Sequence, residues 1–241
     1  LHTLEGFAVQ GASFQCRLAW NPAGTLIAAT SGDASWDDRA DRTVRVWDAS
    51  TGECLHTLQG HESFVWSVSW NPAGTRIVSG SNDKTLRVWD ASTGECLHTL
   101  EGEVPMSDSF AQRPWSPDGT HVVSVSGGAA VRIWNAATGE CLHTLEGHEI
   151  VAGAVAWNPT GTRLVSGAED GALQIWDVAT GESLHTLEGH EDQIVSAAWN
   201  AAGTRIVSAS RDSTLRLWDP STGECMRLSL IHISEPTRHH V

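Results

Sequence analysis

The sequence of 241 residues has no tyrosine, only two methionines and four phenylalanines, and few basic residues. Its 15 Lys and Arg are outnumbered by 29 Asp and Glu, which gives a net charge of −14. Non-specific nucleic-acid binding depends on neutralising phosphates with Lys and Arg. We therefore expect neither nucleic acid nor an anionic membrane as a partner. No apolar run approaches the roughly 20 residues that span a bilayer.

Cysteine is also scarce, and none of the five cysteines has the close CxxC spacing of a zinc site. Four of them occupy the same phrase, "GEC": Cys54, Cys96, Cys141 and Cys225. We expect these to be small, half-buried packing residues and Cys16 to be a buried free thiol. The sequence thus predicts no metal and no cofactor, and free thiols favour a reducing, cytoplasmic location.

One phrase, "LHTL", recurs along the chain and defines a repeat. It begins at residues 1, 55, 97, 142 and 184, in steps of 54, 42, 45 and 42 residues, and "CMRL" at Cys225 begins one more copy. Each unit holds a "WNPAGT"-like turn and an "LRVWD"-like segment, separated by runs such as "RIVSGS" that alternate apolar and polar residues. This period of two predicts four short strands per unit, with no helix.

The "GH" start, the Asp in a tight turn and the "WD" end of these units resemble WD40 repeats, over residues 1–227. The resemblance implies an all-β propeller with five visible four-stranded blades. Because one four-stranded sheet cannot bury both of its faces, neighbouring sheets must stack around an axis. Five blades could close a ring alone or form an arc of a larger ring, which in this family most often has seven blades.

Three repeats carry a His, Ser, Asp and Trp at constant spacing. These sets are His61, Ser79, Asp83 and Trp89; His148, Ser166, Asp170 and Trp176; and His190, Ser208, Asp212 and Trp218. Ser, His and Asp together suggest a hydrolase. A catalytic triad is needed once, however, and this set occurs three times. The resemblance implies instead a buried chain of hydrogen bonds within each blade, so we predict no catalytic residue.

Units one and three depart from this pattern. Unit one has Ala29 at the serine position, and unit three has Gly128 at the aspartate position and no "GH". Losing one member of a buried network leaves the others unpaired. We therefore predict that blades one and three are the least stable, which hydrogen exchange would measure; equal protection in all five blades would contradict this.

Length changes fall on one side of the predicted propeller. With strands named a to d outward from the axis, the d–a and b–c loops lie on one face, and the a–b and c–d turns lie on the other. The first b–c loop, within "SGDASWDDRADRT", is eight residues longer than its counterpart in unit two, and the first and third d–a loops gain four and three. In repeat proteins, such insertions often mark the binding face.

Two of the 12 tryptophans lie outside the two that each repeat requires. Trp36 lies in the long b–c insertion beside Asp37, Asp38 and Arg39, and Trp66 starts strand a of unit two next to Phe64. Exposed Trp and Arg often anchor interfaces. One hypothesis is a partner-binding patch across blades one and two; the alternative is that Trp36 caps its own loop and Trp66 packs between blades. Residues 105–110, with Asp108 and Phe110, form a weaker candidate.

Both ends of the chain look cut. Residues 228–241, "LSLIHISEPTRHHV" from Leu228, belong to no repeat and resemble a translated sequencing-library adapter, so we expect them to be non-native. Leu1 enters within a repeat phrase, and this "LHTL" could also complete the last blade. We expect the native chain to continue into further blades or domains.

The sequence thus predicts a non-enzymatic scaffold that binds a protein or peptide on the d–a and b–c face. An alternative is the sensing region of a larger signalling protein. A third is a propeller enzyme or sugar binder with a site at the axis, which would need acidic, His or Tyr side chains near the channel mouth.

Overall fold

The computed structural model describes residues 16–30, 42–102, 114–126, 130–148 and 152–230, and in these ranges the only regular elements are 19 β-strands. They form five antiparallel sheets, one for each repeat, and in each sheet the strands lie side by side in chain order. No helix in the described part of the chain is long and apolar enough to cross a membrane. The all-β prediction is confirmed.

The strands follow the repeat. Blade one contains β1 (Leu18–Trp20), β2 (Leu26–Thr30), β3 (Val44–Asp48) and β4 (Cys54–Leu58). Blade two contains β5 (Val65–Trp70), β6 (Arg76–Ser81), β7 (Thr85–Asp90) and β8 (Cys96–Glu101). Blade three contains β9 (His121–Ser126), β10 (Ala130–Asn135) and β11 (Cys141–Leu145). Blade four contains β12 (Ala152–Trp157), β13 (Arg163–Ala168), β14 (Leu173–Asp177) and β15 (Ser183–Leu187). Blade five contains β16 (Ile194–Trp199), β17 (Ile206–Ser210), β18 (Thr214–Trp218) and β19 (Cys225–Leu230).

In blade three the inner strand is represented, among the described residues, by a single bridge between Trp115 and Val122. In the other blades strands a to d pair fully, with a bulge that recurs just before the strand-c Trp, as between Val88 and Trp89. The tight a–b turns place glycine at positive φ, for example 69° at Gly74, a conformation that glycine adopts without steric cost.

The apolar side chains of successive blades interdigitate in three buried clusters. The first joins blades two, three and four, the second joins blades one and two, and the third joins blades four and five. In the third, Val165 and Leu173 of blade four meet Ile206 and Trp218 of blade five. Burial of such side chains stabilises by roughly 1.5–3 kcal/mol each, which makes the stacking of sheets the main source of stability.

A tryptophan in strand a also ties each blade to the one before it. Its indole N–H donates to a backbone carbonyl near strand a of the preceding blade. These bonds are Trp70 to Ala19 (3.0 Å), Trp115 to Ser69 (3.4 Å), Trp157 to Pro114 (3.4 Å) and Trp199 to Ala156 (3.1 Å). The inner segments of the five blades line a cavity of about 1030 Å³.

The packing of one blade on the next ends at blades one and five, where apolar side chains are exposed. Trp20 of blade one is 59% exposed, whereas Trp70 is 7% exposed, and on blade five Val207 and Leu215 are 40% and 38% exposed. None of the three clusters joins the described parts of blades five and one. The described residues show no closed five-bladed ring, and an arc is compatible with them.

The cysteines and the C-terminal residues were also the subject of predictions. The four "GEC" cysteines are exposed and not half-buried, because they start the outermost strand of each blade, and Cys16 is intermediate in burial. Residues 228–230 complete β19 opposite β18, with Leu228 facing Arg216 in the register. An adapter origin for residues 228–241 stays a prediction; residues 231–241 and the "LHTL" at residue 1 lie outside the described residues.

Candidate functional site

The d–a and b–c loops lie at the same edge of each blade, and we call this edge the loop face. In blade two the two loops are joined by hydrogen bonds from Asn82 N to Phe64 O (3.0 Å) and from Ser81 Oγ to Ser63 O (3.0 Å). In blade five the equivalent bonds run from Arg211 N to Gln193 O (2.9 Å) and from Ser210 Oγ to Asp192 O (2.7 Å). The two loops thus form one continuous surface.

The a–b and c–d turns lie at the opposite edge, the turn face, and are nearly identical from blade to blade. In blade two, Asn71 Oδ1 accepts from Thr75 N at 2.9 Å and Asp90 Oδ1 accepts from Ser92 N at 2.8 Å. Ala91 N then donates to Thr75 O at 3.0 Å and joins the two turns. Side chains on this face are therefore engaged in holding their own turns.

In blades two and five the predicted sets form the expected chain of hydrogen bonds beneath the loop face. His61 contacts Asp83 through Nδ1 (2.8 Å) and Ser79 through Nε2 (2.8 Å), and the Ser79 hydroxyl accepts from Trp89 Nε1 (2.8 Å). The blade-five distances are 2.7, 2.7 and 2.8 Å, for His190 to Asp212, His190 to Ser208 and Trp218 to Ser208. Each chain links strands b and c to both loops.

This geometry cannot serve as a Ser-His-Asp hydrolase site. Ser79 is fully buried and its oxygen already accepts the indole N–H of Trp89, so it has no approach for a substrate. Ser208 is in the same position relative to Trp218. The arrangement stiffens the base of the loop face.

The aspartates of these chains are stabilised as carboxylates. Burial alone would raise the pKa of Asp83, but hydrogen bonds from His61 and Thr85 outweigh it and hold the pKa well below its ordinary value. Burial likewise opposes ionisation of Asp212, and bonds from Thr214 and His190 hold its pKa far below the ordinary value.

These shifts predict a specific acid sensitivity. Because the folded pKa lies below the unfolded value of about 3.9, the unfolded chain binds more protons in between, and stability rises with pH through that window. The contribution is complete above about pH 5 and is lost as pH falls below about 4. We expect Asp83→Asn with Asp212→Asn to lower stability at pH 7 and to flatten the decline below pH 4, measured by urea unfolding between pH 7 and 2.5. A decline as steep as that of the wild type would contradict this origin.

Blade four departs from its sequence. His148 Nε2 contacts Ser166 Oγ at 2.6 Å, and Trp176 Nε1 donates to Ser166 Oγ at 2.8 Å. The carboxylate of Asp170 instead accepts from Ala172 N at 2.8 Å, and the buried Nδ1 of His148 has no hydrogen-bond partner among the described residues. Burial lowers the pKa of His148. Asp170 was predicted to belong to the chain, and among the described residues no hydrogen bond joins it to the imidazole.

A threonine explains the difference between the blades. In blades two and five, Thr85 and Thr214 donate to Oδ1 of the aspartate at 2.7 and 2.6 Å and lie 3.4 and 3.0 Å from the histidine Nδ1. Blade four has Ala172 at that position. The hydroxyl that orients the carboxylate toward the imidazole is therefore missing.

We predict that Ala172→Thr stabilises the chain by about 0.5–1.5 kcal/mol, the net value of one hydrogen bond. The reverse change in blade two, Thr85→Ala, should destabilise by a similar or larger amount, because it disorients Asp83. Urea unfolding measures both, and the NMR titration of His148 reports its new partner. A destabilising Ala172→Thr would show that another feature of blade four keeps Asp170 away.

Blade three retains only part of the chain. Trp134 Nε1 donates to Ser124 Oγ at 2.8 Å. The histidine position belongs to residues 103–113, and Gly128 at the aspartate position is also outside the described residues. The predicted lower stability of blades one and three stays a prediction.

One of the predicted partner-binding residues, Trp66, is buried. Trp66 is 6% exposed and lies in the cluster between blades two and three with Val78 and Leu86, and half-buried Phe64 packs against the same cluster. The hypothesis that Trp66 is exposed in a binding patch is therefore wrong. This position in strand a faces blade three, and the indole of Trp66 fills the space between the sheets of blades two and three.

The other predicted partner-binding residues lie outside the described residues: Trp36, Asp37, Asp38, Arg39, Asp108 and Phe110. The strands that flank them are described. Thr30 ends strand b and Val44 begins strand c at the loop face, and Gly102 N, at the end of β8, donates to Lys84 O in the b–c turn (2.9 Å). The described residues that flank positions 31–41 and 103–113 thus lie at the loop face.

The axial cavity offers little chemistry. Its lining repeats one pattern in each blade, a Trp followed by polar or small residues, as in Trp70, Asn71 and Pro72. No acidic residue, His, Lys or Arg is among the described residues that line it. The described residues also contain no group of three or more His, Cys, Asp or Glu placed to hold a metal ion.

Comparison with known proteins identifies the repeats. The family model "WD domain, G-beta repeat" matches residues 1–48, 52–90, 94–135, 139–177 and 181–219.

The chain is 35% identical over 63 residues to nuclear distribution protein PAC1 of Coccidioides posadasii, covering 26% of this chain and 13% of that protein. It is 38% identical over 68 residues to the U5 small nuclear ribonucleoprotein 40 kDa protein of Pongo abelii, covering 28% and 17%. It is 46% identical over 50 residues to WD repeat-containing protein pop1 of Schizosaccharomyces pombe, covering 21% and 6%. The matches span a small part of each relative.

Proposed function

The chain belongs to the WD40-repeat family, and from this premise we propose that it is a non-enzymatic scaffold that binds a protein or peptide through its loop face. The observation that carries the proposal is the contrast between the two faces. Counted on the sequence, the changes in repeat length fall in the d–a and b–c segments, whereas the described turns of the turn face are nearly the same from blade to blade. Variation at one face of a repeat array is typical of its binding face.

The buried chains of hydrogen bonds support this role. In blades two and five, the His and Asp side chains fix the d–a loop to the b–c turn, and Glu62 N and Glu191 N also donate to these aspartates at 2.9 and 3.1 Å. A loop that is ordered before binding loses less conformational entropy when the partner docks. The scaffold therefore presents its loops with a small ordering cost.

The acidic charge of the loop face indicates a basic partner. The described loop-face segments 59–64, 82–84, 146–148, 169–172, 188–193 and 211–213 contain nine Asp and Glu but only two Lys and Arg. Complementary potentials increase the rate of association and disfavour wrong partners. We infer a partner segment rich in Lys or Arg, whose binding weakens as salt increases, since the Debye length is about 8 Å at physiological ionic strength.

Two alternatives receive less support. A propeller enzyme or sugar binder with an axial site would need ionisable side chains that the described lining of the cavity does not contain. A sensing region within a larger signalling protein uses the same loop face and would differ in the domains attached to it. We propose a cytoplasmic location, further native blades or domains, and no direct nucleic-acid contact, although one relative is named as part of a ribonucleoprotein.

Selection from a displayed library of random peptides tests this function. We expect the immobilised chain to select peptides enriched in Lys and Arg, whose affinity falls at least tenfold in Trp36→Ala with Asp37→Ala. Glu95→Ala, an exposed residue on the turn face, is the matched control and should leave affinity unchanged. Failure to enrich any peptide, or equal loss in the control, would overturn the proposal.

A further inference from the structure

The b–c turn of blade four, residues 169–172, differs from its counterparts in blades two and five in what its aspartate contacts. We propose that this turn binds one Lys or Arg residue of the partner, through the carboxylates of Glu169 and Asp170 and the Nδ1–H of His148. This contact rests on the proposed function of the loop face and gives the place where a basic side chain docks. Blade four packs against blade three on one side and blade five on the other, so both of its neighbours are present.

In blades two and five the equivalent aspartates are already occupied within the protein. Asp83 Oδ2 contacts His61 Nδ1 at 2.8 Å and accepts from Glu62 N at 2.9 Å. Its Oδ1 accepts from the backbone N and the hydroxyl of Thr85, at 2.9 and 2.7 Å. Asp212 makes the same four contacts in blade five, at distances from 2.6 to 3.1 Å. Since a carboxylate has about four lone-pair sites, neither aspartate keeps capacity for a partner.

In blade four the carboxylate of Asp170 is available. It accepts one hydrogen bond from the described residues, from Ala172 N at 2.8 Å, and Asp170 is exposed. Glu169 is exposed as well, and its Oε1 accepts from Gln193 Nε2 of blade five at 3.4 Å. No Lys or Arg among the described residues forms a salt bridge with either carboxylate. Two adjacent free carboxylates are suited to charge-assisted hydrogen bonds from a guanidinium or an ammonium group.

The imidazole of His148 supplies a hydrogen-bond donor beneath this turn. His148 is 6% exposed, and its Nδ1 has no partner among the described residues. Ser166 Oγ accepts from Trp176 Nε1, which leaves the Ser166 hydroxyl to donate to His148 Nε2 and places the imidazole proton on Nδ1. Burial lowers the pKa of His148 and the nearby charge of Asp170 acts in the opposite direction. Because a buried N–H without an acceptor is unfavourable, a ligand oxygen that reaches it gains a hydrogen bond.

Blade four also has more room at this nitrogen than blades two and five. In those blades the threonine hydroxyl lies 3.4 and 3.0 Å from the histidine Nδ1. Ala172 has neither the hydroxyl nor the γ-methyl of threonine, so two fewer side-chain atoms lie beside the imidazole N–H. A basic residue within a peptide provides both complementary groups, since its side chain carries the cation and its main chain carries a carbonyl oxygen.

Two single substitutions test the contact by NMR titration with N-acetyl-arginine amide at low salt. Asp170→Asn removes the charge at nearly constant size, and Ala172→Thr adds the hydroxyl that turns the carboxylate toward His148. We expect the wild type to show saturable shifts in residues 169–172 and in the His148 Nδ1–H. Each variant should bind the probe about fivefold more weakly or worse, because a charge-assisted hydrogen bond is lost. Glu182→Gln, an exposed residue in the c–d turn of the same blade, is the matched control and should leave affinity unchanged.

A second probe, N-acetyl-citrulline amide, has the same acyl groups without the charge and should cause no shifts at 169–172. Arginine-probe shifts confined to other parts of the chain, or equal affinity for Asp170→Asn and the wild type, would overturn the inference. The peptides from the library selection separate this contact from the proposed function. Selected peptides that bind Asp170→Asn as tightly as the wild type would refute the blade-four contact and leave loop-face binding intact, whereas the absence of any enriched peptide would refute loop-face binding itself.

Discussion

Replacing Trp66 with alanine is expected to destabilise the chain by about 3–5 kcal/mol, the usual cost of truncating a buried tryptophan. Trp66 is 6% exposed and fills the space between blades two and three. Its removal leaves a cavity beside Val78 and Leu86, which the backbone of two paired sheets cannot collapse to fill. Urea unfolding monitored by circular dichroism measures the loss.

The matched control is Val195→Ala, which changes the same position of blade five, where the side chain is 39% exposed. A cost below about 1 kcal/mol is expected there, since a half-exposed valine buries little surface. If Trp66→Ala left the unfolding midpoint unchanged and reduced peptide binding instead, Trp66 would be a surface anchor and the packing described here would be wrong.

Leu86→Ala is expected to cost about 2–5 kcal/mol, and Leu215→Ala less than about 1 kcal/mol. The two leucines occupy the same position in strand c of blades two and five, yet Leu86 is fully buried and Leu215 is 38% exposed. Since the residue and the strand position are identical, the difference measures the presence or absence of a covering blade.

Urea unfolding monitored by circular dichroism measures both costs. If Leu215→Ala cost as much as Leu86→Ala, blade five would be covered within one molecule and the ring would be closed.

The fold could be predicted from sequence because the repeat is nearly exact. Period-two runs such as "RIVSGS" became strand b, and the "NPAGT" segments became the a–b turns. Two of the three polar sets form as predicted, and their blades also carry Thr85 or Thr214, whose hydroxyl donates to the aspartate.

Three features of the molecule could not be predicted from the sequence. Asp170 has the predicted spacing, but Ala172, two residues later, lacks the hydroxyl that Thr85 and Thr214 donate to the aspartate, and the predicted set of four residues did not include this position. Trp66 looked like a surface residue because its position varies between units, whereas in blade two it is buried in the cluster between the sheets. An arc was expected to leave apolar end faces bare, but the sequence did not identify Trp20 as the exposed residue, since the equivalent tryptophan is buried in blades two and three.

The claim that the stacked blades present one binding face is tested most directly by hydrogen–deuterium exchange on the chain with a selected peptide bound. Binding should slow exchange in the loop-face segments, including 59–64 and 82–84 in blade two and 188–193 and 211–213 in blade five, and in 31–41. It should leave the turn face unchanged, including 71–75 and 91–95. Protection confined to the turn face or to the strands that line the axial cavity would contradict the account.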